Sequence, residues 1–450
     1  MKSKITFLLI CVLTLPMWAF AQKAKVLAGP MPGYKEHRET VIWLQTQHAK
    51  MVSIVYETAG EKPVTVSKKV APNTVSNHHF VLGDLKMGST YTYKILLDHK
   101  PVSFPYALTF TTKPLWEWRR PAPDFNFLTG SCLYVNDSAY DRPGNAYGQG
   151  TQILQTMNKI PSDFMLWLGD NVYTREADYG SESGLKYRYQ HTRADSNLQA
   201  FLASRNHYAT WDDHDYGSND ACKTYPLKTI TRELFKNYWG NKTYGENEQG
   251  IYSSFSYSDA DFFLLDDRYF RDYQFLDDST NPNKTQLGEQ QIQWLFNSLV
   301  YSRATFKFIV VGGQFLNEHT NKESYNFYKK ERARILQFII DNKISGVLFL
   351  SGDRHHTELI KNSEIKAKLG YELYDLTSSA ISSRASDLTK SSEFKNPMRV
   401  PNTLVMENNF CELRIAMKNG NRTLNIICYN KKGEIKWEHE ITEHDLRAKF

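Results

Sequence analysis

Three apolar segments of this chain each end in a cluster of aspartate and histidine, although the segments lie far apart in the sequence. The clusters occupy residues 169–173, 212–215 and 351–356, and each directly follows a run typical of a buried strand. Open α/β folds place their ligands beyond the carboxyl ends of the strands. The three clusters therefore predict one shared site at the carboxyl edge of a sheet. Carboxylates combined with imidazole favour hard or borderline metal ions such as iron, manganese, zinc or calcium.

Residues 1–21 are predicted to be a secretory signal peptide rather than part of the fold. Lys2 and Lys4 give a basic start, residues 5–18 form a short apolar core, and Ala19-Phe20-Ala21 provides the small residues of a cleavage site. We therefore expect a secreted or periplasmic protein that is cleaved after Ala21. Since no later run approaches the roughly 18 apolar residues of a spanning helix, we expect no transmembrane segment.

The charge and cysteine content exclude some classes of protein. Lysine and arginine number 55 against 49 acidic residues, a formal net charge of +6, and the basic residues do not form a block. This pattern predicts no surface for nucleic acid. Four cysteines follow the signal peptide, and an exported domain of this size does not depend on disulfides. They are Cys132, Cys222, Cys411 and Cys428.

The sequence pattern changes near residue 115, which predicts two domains. Residues 22–115 contain short alternating or β-branched runs separated by turn residues, typical of a small β-sandwich of fibronectin-III or immunoglobulin type. A linker rich in proline, tryptophan and arginine follows. In residues 122–450 strands alternate with amphipathic helices, which indicates an α/β layered domain that ends in a β-hairpin.

The C-terminal hairpin is predicted in register as well as in position. A two-residue type I′ turn at Asn419-Gly420 makes Cys411 and Cys428 face each other. They fall on a non-hydrogen-bonded pair, whose Cα atoms lie about 4.5 Å apart, within the range of about 4.4–6.8 Å that a disulfide accepts. Two small apolar residues on one buried face would pair in the same way. The register is therefore predicted, and the bond is left open.

Spacing within two of the clusters suggests which side chains share a metal. His355 lies two residues from Asp353, so in an extended chain both face one ion, while His356 faces away. Asp170 and Tyr173 lie three residues apart and would share one face of a helical turn. A carboxylate such as that of Asp170 can bridge two cations.

The remaining candidates come from the third cluster and from two other strand ends. Adjacent carboxylates in residues 212–215 repel each other unless something positive lies among them, and His214 beside a metal would serve as a general acid or as a donor to a phosphoryl oxygen. Cys132 is either a thiolate ligand or a small buried residue. Arg268 either clamps an anionic substrate or pairs with its acidic neighbours.

Together these segments resemble the alkaline phosphatase D (PhoD-like) branch of the calcineurin-like metallophosphoesterases. The matching pieces are Gly-Ser-Cys at 130–132, Gly-Asp-Asn-Val-Tyr at 169–173, Trp-Asp-Asp-His-Asp-Tyr-Gly-Ser-Asn-Asp at 211–220, Leu-Asp-Asp-Arg at 265–268 and Ser-Gly-Asp-Arg-His at 351–355. The resemblance implies a four-layer α-β-β-α core with two or more metal ions, iron with calcium first and zinc or manganese otherwise. It gives His214 the catalytic role and implies metal ligands at Cys132, Asp170, Tyr173, Asp213, Asp353 and His355.

The function expected from these residues is exported, metal-dependent hydrolysis of phosphoric esters. Metal-activated water would attack phosphorus while the cations and Arg268 neutralise the growing charge. The substrate is a phosphate ester, and monoesters and diesters are not distinguished by these residues. A second interpretation is an exported binding or adhesion protein with a calcium-stabilised, inactive α/β domain. A structural calcium site has no use for Cys132 or for His214 among carboxylates, which favours the enzyme.

Overall fold

The computed structural model describes residues 22–71, 74–320 and 322–449. The predicted signal peptide, residues 1–21, lies outside the described residues. Within the described part, no helix has the length and apolar character needed to cross a membrane.

The N-terminal region is built from β-strands arranged in two sheets. One sheet has the order β1-β2-β5, and the other has the order β4-β3-β6-β7 with β8 paired to β6. Alternate residues of β6 are buried, and the inward side chains of both sheets form a shared apolar core. The strands are β1 Lys25–Lys35, β2 Thr40–Gln47, β3 Met51–Glu57, β4 Val64–Lys69, β5 Val75–Leu82, β6 Thr90–Leu97, β7 Lys100–Pro101 and β8 Thr109–Thr111.

The rest of the described chain contains two six-stranded mixed sheets. Their orders are β11-β10-β9-β18-β19-β20 and β12-β13-β14-β15-β17-β16. The strands are β9 Phe125–Gly130, β10 Phe164–Leu168, β11 Asn206–Thr210, β12 Ser253–Tyr257, β13 Ala260–Leu264, β14 Phe306–Val310, β15 Val347–Ser351, β16 Glu358–Asn362, β17 Leu373–Thr377, β18 Asn409–Lys418, β19 Asn421–Asn430 and β20 Ile435–Thr442.

Parallel strands form the middle of each sheet. Strands β9, β10 and β11 are parallel neighbours in the first sheet, and β13, β14, β15 and β17 are parallel in the second. Every residue of β10, β14 and β15 is buried. Strands covered on both faces require continuous apolar runs, which explains their sequences.

The two six-stranded sheets face each other through aromatic side chains. The ring of Phe127 lies 5.3 Å from that of Phe262 and 5.7 Å from that of Phe308, both of the opposite sheet. The helices of this region pack their apolar residues onto these sheets. They are α1 Ile153–Asn158, α2 Glu182–Arg193, α3 Ser196–Ser204, α4 Asp213–Tyr216, α5 Lys228–Tyr238, α6 Glu289–Tyr301, α7 Lys329–Asp341 and α8 Lys366–Leu369.

The register predicted for the C-terminal hairpin is confirmed. Lys418 pairs with Asn421, and Cys411 pairs with Cys428 across β18 and β19. Asn419 and Gly420 both have positive φ, 51° and 80°, as a type I′ turn requires. Both cysteines are buried and carry free thiols.

Candidate metal centre

The parallel strands of both sheets end at one place, and hydrogen bonds join these ends. The Thr210 hydroxyl donates to the carbonyl of Leu265 at 2.6 Å, from the end of β11 to the segment after β13. The Ser378 hydroxyl donates to the carbonyl of Thr129 at 3.1 Å, from beyond β17 to β9. The segments that follow these strands are therefore held side by side.

Two glycines permit this close approach. A Cβ on Gly169 would lie 2.7 Å from the Cβ of Asp212, and φ at Gly169 is +101°. A Cβ on Gly352 would lie 2.6 Å from the side chain of Ser131. The glycine before each aspartate in these motifs is thus required by the neighbouring segment, because no larger residue fits.

Four of the six predicted metal ligands have a left-handed backbone. Their φ angles are +62° at Cys132, +51° at Asp170, +64° at Asp353 and +55° at His355. Such angles are uncommon for residues other than glycine and concentrate at functional sites. The backbone here directs side chains inward at some conformational cost, which is the pattern expected of a binding centre.

Asp170 lies at the centre of the cluster. Its Oδ2 accepts a hydrogen bond from the Tyr173 hydroxyl at 3.0 Å and lies 3.5 Å from the Cys132 sulfur. The Tyr173 oxygen also lies 3.0 Å from Nε2 of His355. Cys132, Asp170 and His355 can each offer one ligand atom, all within 4.8 Å of one another. A thiol, a carboxylate, a phenol and an imidazole therefore meet at one point.

Asp170 belongs to two further groups of possible ligands. One is formed with Asp213 and His214, and the other with Asp212 and Asp353. In each group the three ligand atoms again lie within 4.8 Å of one another. Because one carboxylate is common to three groups, the geometry suits more than one cation with Asp170 as the bridge.

The expectation that the segment with Asp353 and His355 is extended is wrong. Both residues have positive φ, and the backbone N–H of Arg354 donates to the carbonyl of Gly352 at 2.7 Å. This tight turn sends the two side chains to different groups around Asp170, His355 to that with Cys132 and Asp353 to that with Asp212. His356 does face away, since its Nε2 lies 3.4 Å from the carboxylate of Glu358.

The predicted contact between Asp170 and Tyr173 is present, but the helical turn that suggested it is not. Residues 171–174 form bends and irregular backbone. Asp215 caps the short helix α4. Its carboxylate accepts from the backbone N–H groups of Asn171 and Asp212, each at 3.1 Å.

The buried polar atoms of the centre fit a bound cation. Oδ2 of Asp212, Oδ2 of Asp353 and Nδ1 of His214 are buried and make no hydrogen bond within the described chain. Burial, together with the carboxylates of Asp213 and Asp215, raises the pKa of Asp170 well above its usual range. Buried carboxylates normally need hydrogen bonds or a positive partner. A metal ion would supply that partner for the two carboxylates, Asp212 and Asp353.

The other donors around Asp170 lack charge until a metal is present. Burial, with the negative charge of Asp170, raises the pKa of the Cys132 thiol and that of the Tyr173 phenol. Burial lowers the pKa of His355 to about 4. The imidazole is therefore neutral, as a ligand must be, and a cation would remove the protons of the thiol and the phenol.

His214 is held by its backbone and by ring stacking. Its N–H lies 2.9 Å from Oδ1 of Asp213 and 3.2 Å from Oδ1 of Asp170, and its ring stacks on Tyr173 with centroids 4.4 Å apart. Burial lowers the pKa of His214, so the ring is neutral and still carries one N–H. The ring thus lies over a candidate ligand with a nitrogen free for another partner.

Arg268 is surrounded by carboxylates of its own chain. Its side chain is 0% exposed; Nε donates to Asp212 at 2.6 Å and Nη1 lies 2.6 Å from Glu323. Arg271 also contacts Glu323 at 2.6 Å. These partners are distant in the sequence, and of the acidic neighbours that the sequence suggested, Asp267 lies 3.7 Å from Nε. Direct contact of Arg268 with substrate would require displacing these partners.

Three acidic residues of the centre were not among the predicted metal ligands: Asp212, Asp220 and Glu323. Asp213, Asp220 and Glu323 form a fourth group with ligand atoms within 4.8 Å, and the backbone N–H of Asp220 donates to Asp213 at 2.8 Å. Burial and Glu323 raise the pKa of Asp220 to about 8. Asp212 stood inside a predicted cluster, whereas Glu323 lies in the long segment after β14, where no motif marks it.

Comparison with known proteins identifies the family of this chain. A family model described as PhoD-like phosphatase matches residues 139–440, and one described as a domain of unknown function (DUF7800) matches residues 23–114. Alkaline phosphatase D of Bacillus subtilis (strain 168) is 27% identical over 333 residues, which cover 63% of this chain and 54% of that protein. This chain thus spans about half the length of the curated relative.

A solved structure of PhoD has a similar fold. It superposes with a TM-score of 0.73 at 18% identity, over 93% of this chain and 90% of that one. The agreement extends through the N-terminal β-rich region and both mixed sheets. With the family model matching more than half of its residues, the chain belongs to the PhoD-like phosphatase family.

Proposed function

We propose that this protein is an exported, metal-dependent phosphoric-ester hydrolase. The observation that carries the proposal is the position of Asp170, whose carboxylate is common to three groups of possible metal ligands. Family membership supports the hydrolase class. We assign residues 1–21 to a signal peptide, 22–115 to a fibronectin-like β-sandwich and 122–450 to a catalytic domain of four α-β-β-α layers.

The donor types support different metals on the two sides of Asp170. Cys132, Tyr173 and His355 offer sulfur, phenolate and imidazole, a set that suits iron or zinc. On the other side, Asp353 and Asp213 offer oxygen ligands that suit calcium or manganese. When bound, such ions activate water and neutralise charge on the phosphoryl group. We therefore propose iron with calcium, and zinc or manganese as the alternatives.

His214 is proposed as the catalytic histidine. Stacking on Tyr173 and its backbone hydrogen bonds fix the ring, and Nδ1 has no partner in the described chain. A neutral imidazole with one N–H can donate to a phosphoryl oxygen or to the departing alkoxide. Its lowered pKa supports the hydrogen-bond donor role in the resting protein.

Arg268 is proposed to act through Asp212 and Glu323. Its guanidinium neutralises two carboxylates beside the ligand groups, and the buried pair with Asp212 fixes the direction of that side chain. Arg268 is thus a positioning residue in this proposal, and phosphate binding is left to the metal ions and to groups nearer the solvent.

One purified sample tests the proposed function. Metal content and hydrolysis of para-nitrophenyl phosphate and bis-para-nitrophenyl phosphate are measured together. We expect at least two metal ions per chain and turnover of one or both esters. Bound calcium without any hydrolysis would favour the binding-protein alternative instead.

The absorption spectrum tests the identity of the first metal. If Cys132 and Tyr173 both bind a ferric ion, charge transfer from thiolate and phenolate gives the protein a visible colour. Tyr173→Phe should then shift or abolish this band while the fold persists. A colourless, fully active protein that contains only zinc or calcium would exclude iron without excluding the hydrolase.

A further inference from the structure

A pocket of about 380 Å³ opens beside the candidate metal centre. Two of its walls are Tyr134 and Tyr147. The Tyr147 hydroxyl lies 3.4 Å from Nδ1 of His355, and the Tyr134 ring lies 4.9 Å from that of Tyr173. Tyr134 and Tyr147 thus contact the candidate ligands on one side and line the pocket on the other, so the pocket borders the centre.

The guanidinium of Arg175 lies in this pocket among aromatic rings. Its Cζ is 4.8 Å from the ring centre of Tyr134, 5.0 Å from that of Tyr147 and 5.4 Å from that of Tyr173. The residue is 7% exposed, and its Nε donates to the Tyr134 hydroxyl at 3.1 Å. Within the described ranges of the chain, no carboxylate forms an ion pair with Arg175. A charge this deeply buried normally has one.

The other charges of the pocket are largely compensated. Arg142 pairs with Glu176, and Asp141 lies 3.1 Å from Nη1 of Arg188. The guanidinium of Arg384 lies 5.7 Å from the ring centre of Tyr147 and donates to two backbone carbonyls, at 3.2 and 3.4 Å. Because a carbonyl has no net charge, these bonds do not neutralise the positive charge of Arg384. Arg175 and Arg384 therefore give this pocket an excess of positive charge.

We infer that this pocket binds a second anionic group of the substrate, carried on an alcohol that is esterified to the same phosphoryl group as the bond that is hydrolysed at the metals. The inference rests on the proposed function and makes Arg175 and Arg384 specificity-determining residues. Guanidinium groups bind carboxylate or phosphate oxygens in pairs. The volume lies within the range of small-molecule sites, about 300–1,000 Å³. The preferred substrate is then a phosphate ester whose alcohol ends in a phosphate or a carboxylate.

Matched diesters test this inference. Three para-nitrophenyl phosphodiesters differ only at the end of the second alcohol, which carries a methyl group, a carboxylate or a phosphate. For the wild-type protein we expect kcat/KM to be about ten- to a hundredfold higher for the charged esters than for the methyl ester, mainly through KM. The carboxylate and phosphate arms identify which anion is preferred.

Substitutions locate the effect. Arg175→Gln should bring the ratio of kcat/KM between the charged esters and the methyl ester to near unity, and Arg384→Gln should lower that ratio. Arg175→Lys should restore part of it, because the charge returns without the paired geometry. Arg303→Gln, at an exposed arginine outside the pocket, is the matched control and should change nothing. Melting temperatures identify any variant in which loss of stacking disturbs the fold.

Binding of phosphonates separates this inference from the proposed function. Carboxyethylphosphonate and propylphosphonate have similar shapes and cannot be hydrolysed. Calorimetric titration therefore measures their affinity for the protein even if the diesters are not turned over. Tighter binding of the carboxyethyl compound to the wild type but not to Arg175→Gln supports the inference. Equal binding of the two compounds to the wild type, or a preference that survives in Arg175→Gln and Arg384→Gln, overturns it.

Discussion

Two groups of buried charges lie side by side at the strand ends, and they differ in what neutralises them. Around Arg268, guanidinium nitrogens contact Asp212 and Glu323, so the chain supplies its own cations. Around Asp170, the contacts are a thiol, a phenol and the backbone N–H of His214, none of which carries a fixed positive charge. The first group can therefore be stable alone, whereas the second needs a positive partner from outside the chain, which we propose to be metal.

The largest expected effect follows from removing the shared carboxylate. Asp170→Ala should lose bound metal and hydrolytic activity together, down to the level of the metal-free protein, because three ligand groups lose a member at once. Elemental analysis and hydrolysis assays on the same sample measure this. Asp341→Ala, at an exposed aspartate at the end of α7, is the control. Full metal content in Asp170→Ala would contradict the bridging assignment.

Substitution of Arg268 should lower the stability of the fold. Arg268→Gln leaves the buried carboxylate of Asp212 without its ion pair and removes one of the two arginines that contact Glu323, so we expect the free energy of unfolding to fall by about 3–5 kcal/mol. Denaturant unfolding measures the change. Arg334→Gln removes an exposed pair with Glu289 and should cost no more than about 1 kcal/mol. Similar losses in the two variants would remove the distinction between a self-neutralised buried group and a surface pair.

The metal-free protein should lose stability as the pH rises. Burial raises the pKa of Asp353 to about 7, and burial with Glu323 raises that of Asp220 to about 8, from an ordinary value of 3.8. Between pH 3.8 and these raised values the two carboxyl groups bind more protons in the folded state than in the unfolded state. Their contribution to stability is therefore fully present below about pH 4 and is lost as the pH rises to about 8.

Bound metal should reverse this behaviour, because a cation favours the ionised carboxylates. Melting curves from pH 4 to pH 8, with and without metal, measure the two slopes. We expect a falling melting temperature only in the metal-free protein. Parallel curves would mean that the carboxylates near Asp170 are not the groups a metal neutralises.

His214 should affect turnover more than metal binding. We expect His214→Ala to lower kcat by roughly a hundredfold, about 2.7 kcal/mol, while metal content stays near that of the wild type. The two quantities are measured on the sample used for Asp170→Ala. Equal metal loss in both variants would show that His214 is a ligand, as its place in the group with Asp213 allows.

Local sequence signals predicted the parts of this molecule that depend on neighbouring residues. The hairpin register followed from Asn419-Gly420, because a two-residue turn fixes every pair beyond it. The cluster at the strand ends followed from apolar runs that stop at Gly-Asp, because parallel strands end at the same edge. The way Asp353 and His355 divide between two groups did not follow, since left-handed backbone at both positions leaves no trace in the spacing.

Features made by distant segments were not predictable. Glu323 contacts Arg268 from a long irregular segment, and no sequence motif predicts that contact. The pocket that contains Arg175 and Arg384 forms only where the segment after β9 contacts the segment after β17. One such contact is the hydrogen bond from the backbone N–H of Gln149 to the carbonyl of Ser382, at 2.6 Å. Such contacts depend on tertiary packing, so only the structure reveals that Arg175 and Arg384 share one cavity.

Removal and return of metal test the central claim most directly. The purified protein is freed of metal with a chelator, assayed for phosphodiester hydrolysis, and assayed again after iron and calcium, or zinc or manganese, are restored. We predict that hydrolysis disappears without metal and returns with it in the wild type but not in Asp170→Ala. Undiminished hydrolysis by the metal-free wild type would contradict the account.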